Sequence, residues 1–204
     1  MKIVKNSCIK AMIFILLTTL FCGVIYTGLV TVIAQILFKN KANGSIIEAD
    51  GVTYGSSLIG QYFTGNRYMW SRFNEPETNF IKIVDSKRKE TFYPVASNYS
   101  PAGIKYEKII KQRIRKVKSA HPEKKDISVP VDLVTGSGSA LDPHISYNAA
   151  VYQAERIAKI RKTDVDYVQK IIDKCTEDKT FWGIFGNKTV NVLKVNLYLD
   201  GILS

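Results

Sequence analysis

Three residues with catalytic potential lie within five positions of one another, at Asp142, His144 and Ser146. Together with Ser139 just upstream, they suggest a membrane-anchored hydrolase built on a serine and a histidine. A Ser-His-Asp triad, however, needs side chains that converge from separate parts of the chain, and no G-x-S-x-G nucleophile elbow is present. The sequence therefore favours Asp142 and Ser146 as capping groups, His144 as a structural or interface histidine, and no catalytic residue.

A glycine-rich turn, Thr135-Gly136-Ser137-Gly138-Ser139, precedes this segment. Successive backbone N–H groups followed by a helix N-terminus can bind phosphate. The chain lacks the G-x-x-x-x-G-K-[ST] motif that would make this interpretation specific. We therefore predict a structural turn, in which the two glycines can take positive φ.

The elements around the turn are predicted from hydrophobic patterning. Residues 129–134 alternate apolar and polar positions around Pro130, which favours a short strand near a sheet edge. Ser146 is a candidate N-cap for the following helix. One face of that helix carries Ala150, Ala154, Ile157 and Ala158. The prediction is a strand, a turn and a capped helix around which the domain packs.

Two further helices are predicted. The first covers Ile104–Ala120 and ends at His121-Pro122. Its buried side is predicted to carry Tyr106, Ile110, Ile114 and Val117. The second starts at Thr163, with Asp166 completing a partial capping box. Its apolar stripe is predicted to be Val165, Val168, Ile172 and Cys175.

Strands are predicted at residues 80–84 and 192–200, with a charged turn over residues 85–90. Residues 192–200 show the clearest alternation in the chain, with leucine or valine at every second position. The predicted fold class is therefore α+β: a single N-terminal transmembrane helix followed by one mixed soluble domain with a small sheet and about three helices.

The 28 residues from Ala11 to Phe38 include no charged residue. A helix of about 20 residues crosses a bilayer core, whereas a signal peptide has an apolar region of about 7–15 residues. The segment also lacks a small-x-small cleavage pattern, and bulky Phe21 before Cys22 argues against a lipoprotein anchor. We predict a cytoplasmic N-terminus over residues 1–10, a transmembrane helix over 11–36 and a soluble domain over 39–204.

The orientation is predicted from flanking lysines. Three lysines precede the helix and two follow it, which favours a cytoplasmic N-terminus and an extracytoplasmic domain. Small residues recur at every fourth position of the helix. They are Thr19, Gly23, Thr27 and Thr31. This spacing favours close packing against a partner helix, and the alternative is ordinary composition in a lone anchor.

The chain of 204 residues has a net charge of +11. Nine Lys or Arg residues face only Glu107 and Glu123 between Lys105 and Lys125. This run indicates either a surface for anionic lipid headgroups or phosphates, or a solvated helix face. Because Tyr106 is its only aromatic residue, nucleic-acid binding is not favoured. Two His and three Cys give no basis for a metal site or a disulfide framework.

Five segments together resemble the C subunit of the Kdp-type potassium-transporting P-type ATPase. They are ANGSII (42–47), GSSLIGQYF (55–63), VPVDLVTGSGSALDPHIS (129–146), YQAERIAKIR (152–161) and VNVLKVNLYLD (190–200). They occur in the family's order across the chain. Two stretches depart from the family pattern, at residues 68–74 and 137–142.

The resemblance implies an accessory, non-catalytic subunit of a membrane complex. Its implied partners are a channel-like potassium-translocating subunit, a P-type ATPase subunit and a small single-helix subunit. It implies no firmly bound cofactor: ATP would act through the ATPase subunit, and the complex would transport potassium. It also implies a catalytic chaperone that raises the ATP affinity of the ATPase subunit.

Several residues acquire roles by this resemblance. Gln153 matches a glutamine tied to nucleotide binding in the family, and the alternative for it is a polar residue on the helix surface. Because an extracytoplasmic soluble domain would be separated from ATP, that domain is alternatively a brace for the complex or a cap over the potassium entrance. Structural or interface roles fall to the motif residues Gly136, Ser137, Gly138, Asp142, Pro143, His144 and Ser146.

Overall fold

The computed structural model describes residues 2–73, 80–84, 90–94, 97–178 and 186–204. The chain divides into two compact units, residues 1–46 and 47–204.

The first unit is a long apolar helix. It comprises α1 (Lys2–Thr18), a π-helical segment (Thr19–Tyr26) and α2 (Thr27–Leu37), followed by the short helix α3 (Lys39–Ala42). Its part from Val4 to Leu37 is long and apolar enough to cross a membrane. A helix suits that role because its backbone hydrogen bonds are satisfied within the segment. The finding agrees with the predicted N-terminal transmembrane helix.

Threonine hydroxyls within this helix bond to its own backbone. Thr27 Oγ1 donates to the Cys22 carbonyl at 2.9 Å, five residues back, and Thr31 Oγ1 donates to the Thr27 carbonyl at 2.8 Å. A Cβ built on Gly23 would lie 3.8 Å from Thr19 Cγ2, an ordinary contact. A Cβ at position 23 therefore makes no close contact within the chain itself.

The second unit, residues 47–204, is here termed the head. It contains two β-hairpins and a three-stranded sheet. The hairpins are β1 (Ile46–Ala49) with β2 (Val52–Ser56) and β3 (Phe80–Val84) with β4 (Glu90–Pro94). Asp50 and Gly51 both have positive φ, as a two-residue type I′ turn requires. The strand predicted at residues 80–84 is confirmed. The predicted charged turn lies outside the described residues, except for Glu90 at the start of β4.

The three-stranded antiparallel sheet has the order β5–β7–β6. Its strands are β5 (His144–Ser146), β6 (Thr176–Glu177) and β7 (Thr189–Asn191). His144 pairs with Asn191, and Glu177 pairs with Thr189.

The main helices of the unit are α4 (Ile104–Ala120), α5 (Tyr147–Arg161), α6 (Val165–Lys174) and α7 (Val192–Leu199). Short 3₁₀ helices occur at Pro122–Lys124 and Val131–Leu133.

Helix α5 lies at the centre of the hydrophobic core. The four residues predicted on its inner face are all buried, which confirms that face: Ala150, Ala154, Ile157 and Ala158. Three of the four are alanines, whose small side chains allow close packing of neighbouring elements. Val117, Leu133, Ile145, Ile172, Val190 and Val195 complete the centre of the core.

Helix α4 has the bounds that its sequence predicted. Of its predicted inner residues Val117 is buried and the other three are partly buried. Arg113 is also buried there: its Nη1 donates to the Val134 carbonyl at 3.1 Å, and its guanidinium lies 4.8 Å from the centre of the Phe73 ring. The basic run is therefore only partly a solvated face.

The strand predicted over residues 129–134 is wrong. Pro130 has φ −55° and is followed by the 3₁₀ turn Val131–Leu133, in which the Leu133 N–H donates to the Pro130 carbonyl at 3.0 Å. Leu133 is buried and Val131 is 68% exposed. Val134, the next residue, is also buried, so burial in this tight turn does not follow the alternation of the sequence.

The strand predicted over residues 192–200 is also wrong, because these residues form helix α7. Asn191 caps the helix by accepting a hydrogen bond from the Lys194 N–H at 3.1 Å. The alternation in the sequence did not correspond to alternating burial, because Leu193, Leu197 and polar Asn196 are all buried. The strand lies immediately upstream, at β7.

Helix α6 starts later than predicted. Lys162, at φ 56°, ends α5 in the left-handed conformation, and Asp164 rather than Thr163 occupies the N-cap of α6. Val165 is 43% exposed, so it does not belong to the buried stripe. That stripe comprises Val168, Ile171, Ile172 and Cys175.

Candidate functional site

The Asp-Pro-His segment contributes to a row of basic and acidic side chains, here termed the Asp142 cluster. Its members are Arg72, Asp142, His144, Glu177 and Lys194. Arg72 Nη1 lies 3.3 Å from Asp142 Oδ2. His144 lies between two carboxylates, 3.9 Å from Asp142 and 3.3 Å from Glu177. Lys194 Nζ completes the series at 3.2 Å from Glu177 Oε1.

The three-stranded sheet positions this cluster. His144 stands on β5 and Glu177 on β6, with Asn191 on β7 between them. Asn191 Nδ2 donates to the Ser57 carbonyl at 2.8 Å and lies 3.4 Å from His144 Nε2. Burial raises the pKa of Glu177, but the hydrogen bond from Lys194 and the charges of His144 and Lys194 outweigh it, and the net pKa is lowered. The arrangement fastens strands to one another.

The two predicted capping groups, Ser146 and Asp142, act on different structures: Ser146 caps a helix and Asp142 closes a turn. Ser146 Oγ accepts from the Ala149 N–H at 3.3 Å and is the N-cap of α5, as predicted. Asp142 Oδ1 accepts from the His144 N–H at 3.0 Å and closes the turn before β5. The Pro143 carbonyl accepts from the Val192 N–H at 3.0 Å. The short strand β5 between Asp142 and the helix was not predicted.

The glycine-rich turn is closed by serine hydroxyls. Ser137 Oγ accepts from the Ser139 N–H at 3.2 Å, and Ser139 Oγ accepts from the Leu141 N–H at 3.1 Å. The predicted turn is present, but neither Gly136 nor Gly138 uses positive φ; Ala140 takes the left-handed conformation instead, at φ 59°. The two bonded N–H groups are not open to a phosphate. The hydroxyl of Ser139 hydrogen-bonds to that of Ser137 and not to a histidine, as a catalytic serine would.

A second polar group, the Arg156 cluster, lies inside the core and comprises Trp70, His121, Gln153 and Arg156. Arg156 is 3% exposed. Its Nε donates to His121 Nε2 at 3.0 Å and its Nη2 to Gln153 Oε1 at 2.8 Å. The guanidinium also donates to the carbonyls of Asn66 and Tyr68 and lies 4.3 Å from the centre of the Trp70 ring.

Within the described residues, no carboxylate forms an ion pair with Arg156. Burial lowers the pKa of Arg156 to about 10, and the more distant charge of Glu123 opposes that effect. Carbonyl oxygens, a ring nitrogen and an aromatic face thus replace water around a cation.

His121 is held as a neutral ring. Its Nδ1 lies 2.7 Å from the Val117 carbonyl, so it donates there, and its Nε2 accepts from Arg156. Burial lowers the pKa of His121; the charges of Arg156 and Lys124 act in the same direction, and the Val117 carbonyl and Glu123 oppose them.

Gln153 is fully buried, so its interpretation as a surface residue is wrong. Its Oε1 accepts from the Trp70 N–H at 2.8 Å, and its Nε2 donates to the carbonyls of Trp70 and Ala149 at 3.1 and 3.2 Å. Asn196 binds the neighbouring Met69 in the same way, at 2.8 and 3.0 Å. Two side-chain amides thus hold one extended segment. Nucleotide binding by Gln153 stays a prediction.

Sequence reasoning missed Arg156, His121 and Trp70 as a group. A signal was available, since Gln153 and Arg156 share the helix face of Ala149 and Ala150, where a charged residue is expected only with partners. Those partners come from distant parts of the chain and could not be named.

These features define a class of protein. It has a candidate membrane helix near its N-terminus and an α+β head whose polar clusters join separate segments. The family described as "K+-transporting ATPase, c chain" matches residues 8–201. The chain belongs to this KdpC family.

Relatives agree over the whole length. A Clostridium perfringens protein named "Potassium-transporting ATPase KdpC subunit" is 53% identical over 203 residues, covering 100% of this chain and 99% of its own. Proteins of the same name from Clostridium botulinum and Methylococcus capsulatus are 49% and 42% identical, covering 95% and 94% of this chain and 95% and 96% of their own lengths.

Proposed function

We propose that the chain is an accessory, non-catalytic subunit of a high-affinity, ATP-driven potassium-uptake complex. The observation that carries this proposal is the family match, which spans both the apolar helix and the head. The proposed partners are a channel-like potassium-translocating subunit, a P-type ATPase subunit and a small single-helix subunit. The head braces this assembly or caps its potassium entrance.

The apolar helix joins the chain to its partners through the face of Thr19, Gly23, Thr27 and Thr31. Gly23→Ile tests this role, because a Cβ at this position makes only an ordinary contact within the chain. The amounts of partner subunits that co-purify with the tagged chain in detergent are measured. We expect a clear loss. Gly28→Ile is the matched control off that face, because a Cβ at Gly28 meets no other atom within 4 Å. Unchanged assembly would exclude this face.

The head lies outside the cytoplasm in this proposal, as the flanking lysines favour. The test is labelling by a membrane-impermeant maleimide in intact cells. Lys111→Cys places a thiol on an exposed side chain of the head, while native Cys8 reports on the N-terminal end and Cys175 is buried. We expect labelling of position 111 before permeabilisation and of Cys8 only afterwards. The reverse pattern would place the head beside ATP.

The chain raises the ATP affinity of the ATPase subunit by favouring one of its conformations, since a brace shifts an equilibrium only by binding two states unequally. Gln153 contributes by holding Trp70 rather than by contacting nucleotide, because each of its polar atoms already has a partner.

Gln153→Leu in the assembled complex tests this step, with exposed Gln112→Leu as control. We expect the ATP concentration for half-maximal hydrolysis to rise together with a fall in the unfolding temperature of the chain. A changed ATP dependence with unchanged unfolding would favour direct contact with nucleotide.

A second candidate function is binding of anionic lipid headgroups. Helix α4 presents exposed Lys108, Lys111 and Arg115 on one face, spaced at three and four residues. With the full chain in bilayer nanodiscs, hydrogen exchange over α4 reports contact. Slower exchange with anionic than with neutral lipid, reversed by salt, would support this function. Equal exchange in both would exclude it.

A further inference from the structure

An Asn-Gly pair lies where the apolar helix ends. Asn43 and Gly44 directly follow the short helix α3, and both are exposed. Lys39 and Lys41 precede them, and lysines keep their charged ends in water at a membrane surface. The pair is therefore in contact with water. Asn43 is also the only asparagine in the sequence that is followed by glycine.

An asparagine followed by glycine is chemically prone to spontaneous deamidation. The backbone nitrogen of the glycine attacks the Cγ atom of the asparagine side chain, and the side-chain nitrogen leaves as ammonia with the glycine N–H proton. The cyclic imide that forms then adds one water molecule and opens to aspartate or isoaspartate. Glycine favours the first step because it has no Cβ to hinder the approach. The net reaction exchanges ammonia for water and needs no enzyme.

The Asn43 side chain is folded back onto the helix. Gln35 Nε2 donates to Asn43 Oδ1 at 3.2 Å, and Asn43 Nδ2 donates to Gln35 Oε1 at 3.1 Å. Asn43 Nδ2 also donates to the Lys39 carbonyl at 2.8 Å. Both polar atoms of the asparagine side chain are thus bound to the helix. The reciprocal pair of amides is here termed the Gln35–Asn43 clasp.

The nitrogen that would attack is engaged as well. The Gly44 N–H donates to the Lys41 carbonyl at 3.2 Å, and the Asn43 N–H donates to the Lys39 carbonyl at 3.1 Å. Attack requires the Asn43 side chain to leave the clasp and Gly44 to release its carbonyl partner. The end of the helix must therefore open locally before the imide can form.

The clasp also accounts for a polar residue in an apolar segment. Gln35 is the only amide side chain among residues 11–38, all of which are uncharged. Near the end of a membrane helix such an amide needs a hydrogen-bond partner, because hydrocarbon offers none. Asn43 satisfies both its donor and its acceptor. An aspartate at position 43 would replace the Nδ2 donor with an oxygen, which repels both the Gln35 and the Lys39 acceptors.

We propose that Asn43 is a site of spontaneous deamidation and that Gln35 protects it. While the clasp is closed, the asparagine remains a neutral amide bound to the helix, at the point where the chain leaves the apolar helix for the head. Opening of the clasp exposes the side chain to attack by the Gly44 nitrogen. The proposal does not depend on the partners of the chain, so it stands or fails separately from the proposed function.

The test follows deamidation of the full chain in detergent at mildly alkaline pH, by mass spectrometry after brief digestion with trypsin. Trypsin releases residues 42–67 as one peptide, which contains Asn43 and also Asn66. Asn66 is followed by arginine and is therefore an internal control within the same peptide. We expect Asn43 of the folded chain to deamidate at least about fivefold more slowly than in the synthetic peptide 42–67, the factor that corresponds to about one net hydrogen bond.

Gln35→Leu removes the clasp and keeps the helix apolar. We expect Asn43 to deamidate about fivefold faster in this variant than in the wild type, with the rate at Asn66 unchanged. Ile36→Leu, at the adjacent exposed position, is the matched control and is expected to keep the wild-type rate.

Three results would overturn the protection by Gln35. They are a wild-type rate equal to that of the synthetic peptide, a Gln35→Leu rate equal to the wild-type rate, and equal acceleration by Gln35→Leu and Ile36→Leu. An Asn43 that stays intact even in the synthetic peptide would overturn the deamidation site itself.

Discussion

The Asp142 cluster and the Arg156 cluster both join distant segments of the head, but they balance charge in different ways. In the Asp142 cluster Arg72 and Lys194 each lie 3.2 to 3.3 Å from a carboxylate, His144 lies between the two carboxylates, and the side chains remain partly exposed. In the Arg156 cluster a buried guanidinium is surrounded by carbonyls, a histidine nitrogen and an indole ring.

The difference predicts where the stability of the head resides. Exposed ion pairs are screened by water and salt, and each contributes about 0–1 kcal/mol. A buried cation is stable only while its full set of partners is in place, because water cannot replace a lost one. The Arg156 cluster is therefore the more sensitive of the two, and it fixes the segment around Trp70 against α5.

The largest effect is expected for Arg156→Met. The change removes donors from His121, Gln153 and two backbone carbonyls, which leaves buried acceptors without partners. We expect the free energy of unfolding to fall by about 3 kcal/mol, equivalent to roughly 10 °C in unfolding temperature for a head of this size.

Lys159→Met is the control for this prediction, since Lys159 is exposed on the same helix. Thermal unfolding of the full chain in detergent provides the measurement. If both variants unfold at the wild-type temperature, the Arg156 cluster does not stabilise the head more than an exposed lysine does. The proposed difference between the two clusters would then be wrong.

Features that depend on neighbouring residues could be predicted from the sequence, whereas contacts between distant segments could not. The apolar helix, helix α4 and the Ser146 cap depend on composition, period and local capping, which act within a few residues. Each was predicted correctly. The Asp142 segment was found through its motif, although its ion-pair partners Arg72 and Glu177 were not.

The remainder depends on contacts that a local pattern cannot specify. Arg156 binds His121, 35 residues away, and the Tyr68 carbonyl, 88 residues away. Residues 192–200 are apolar at alternate positions but buried on most sides, so their period does not distinguish a strand from a helix. Tertiary packing and the Asn191 cap decide in favour of helix.

An intermediate effect is expected from acid titration of His121. Because its pKa is lowered in the folded state, the unfolded chain binds more protons below its ordinary pKa of about 6.5. Stability therefore falls as the pH drops from neutral through that value, and it levels off below the folded pKa.

Arg156 and Lys124 oppose the added charge on His121, whereas Glu123 favours it. Unfolding temperatures of the wild type and His121→Gln are compared between pH 8 and 5. We expect the glutamine variant to lose part of this acid dependence, whatever its stability at pH 8. Parallel curves for the two proteins would assign the dependence to other groups.

The smallest effect is expected for Glu177→Gln in the Asp142 cluster. The change removes the carboxylate between His144 and Lys194, whose side chains reach solvent, so the loss is below about 1 kcal/mol and is reduced by salt. Since the pKa of Glu177 is lowered on folding, its contribution is present above the ordinary carboxyl pKa and is lost as the pH falls through the folded value.

Glu107→Gln, in the exposed pair with Lys111, is the control and is expected to change less. A cost equal to that of Arg156→Met would mean that burial does not separate the two clusters, because an exposed pair would then stabilise the head as strongly as a buried cation.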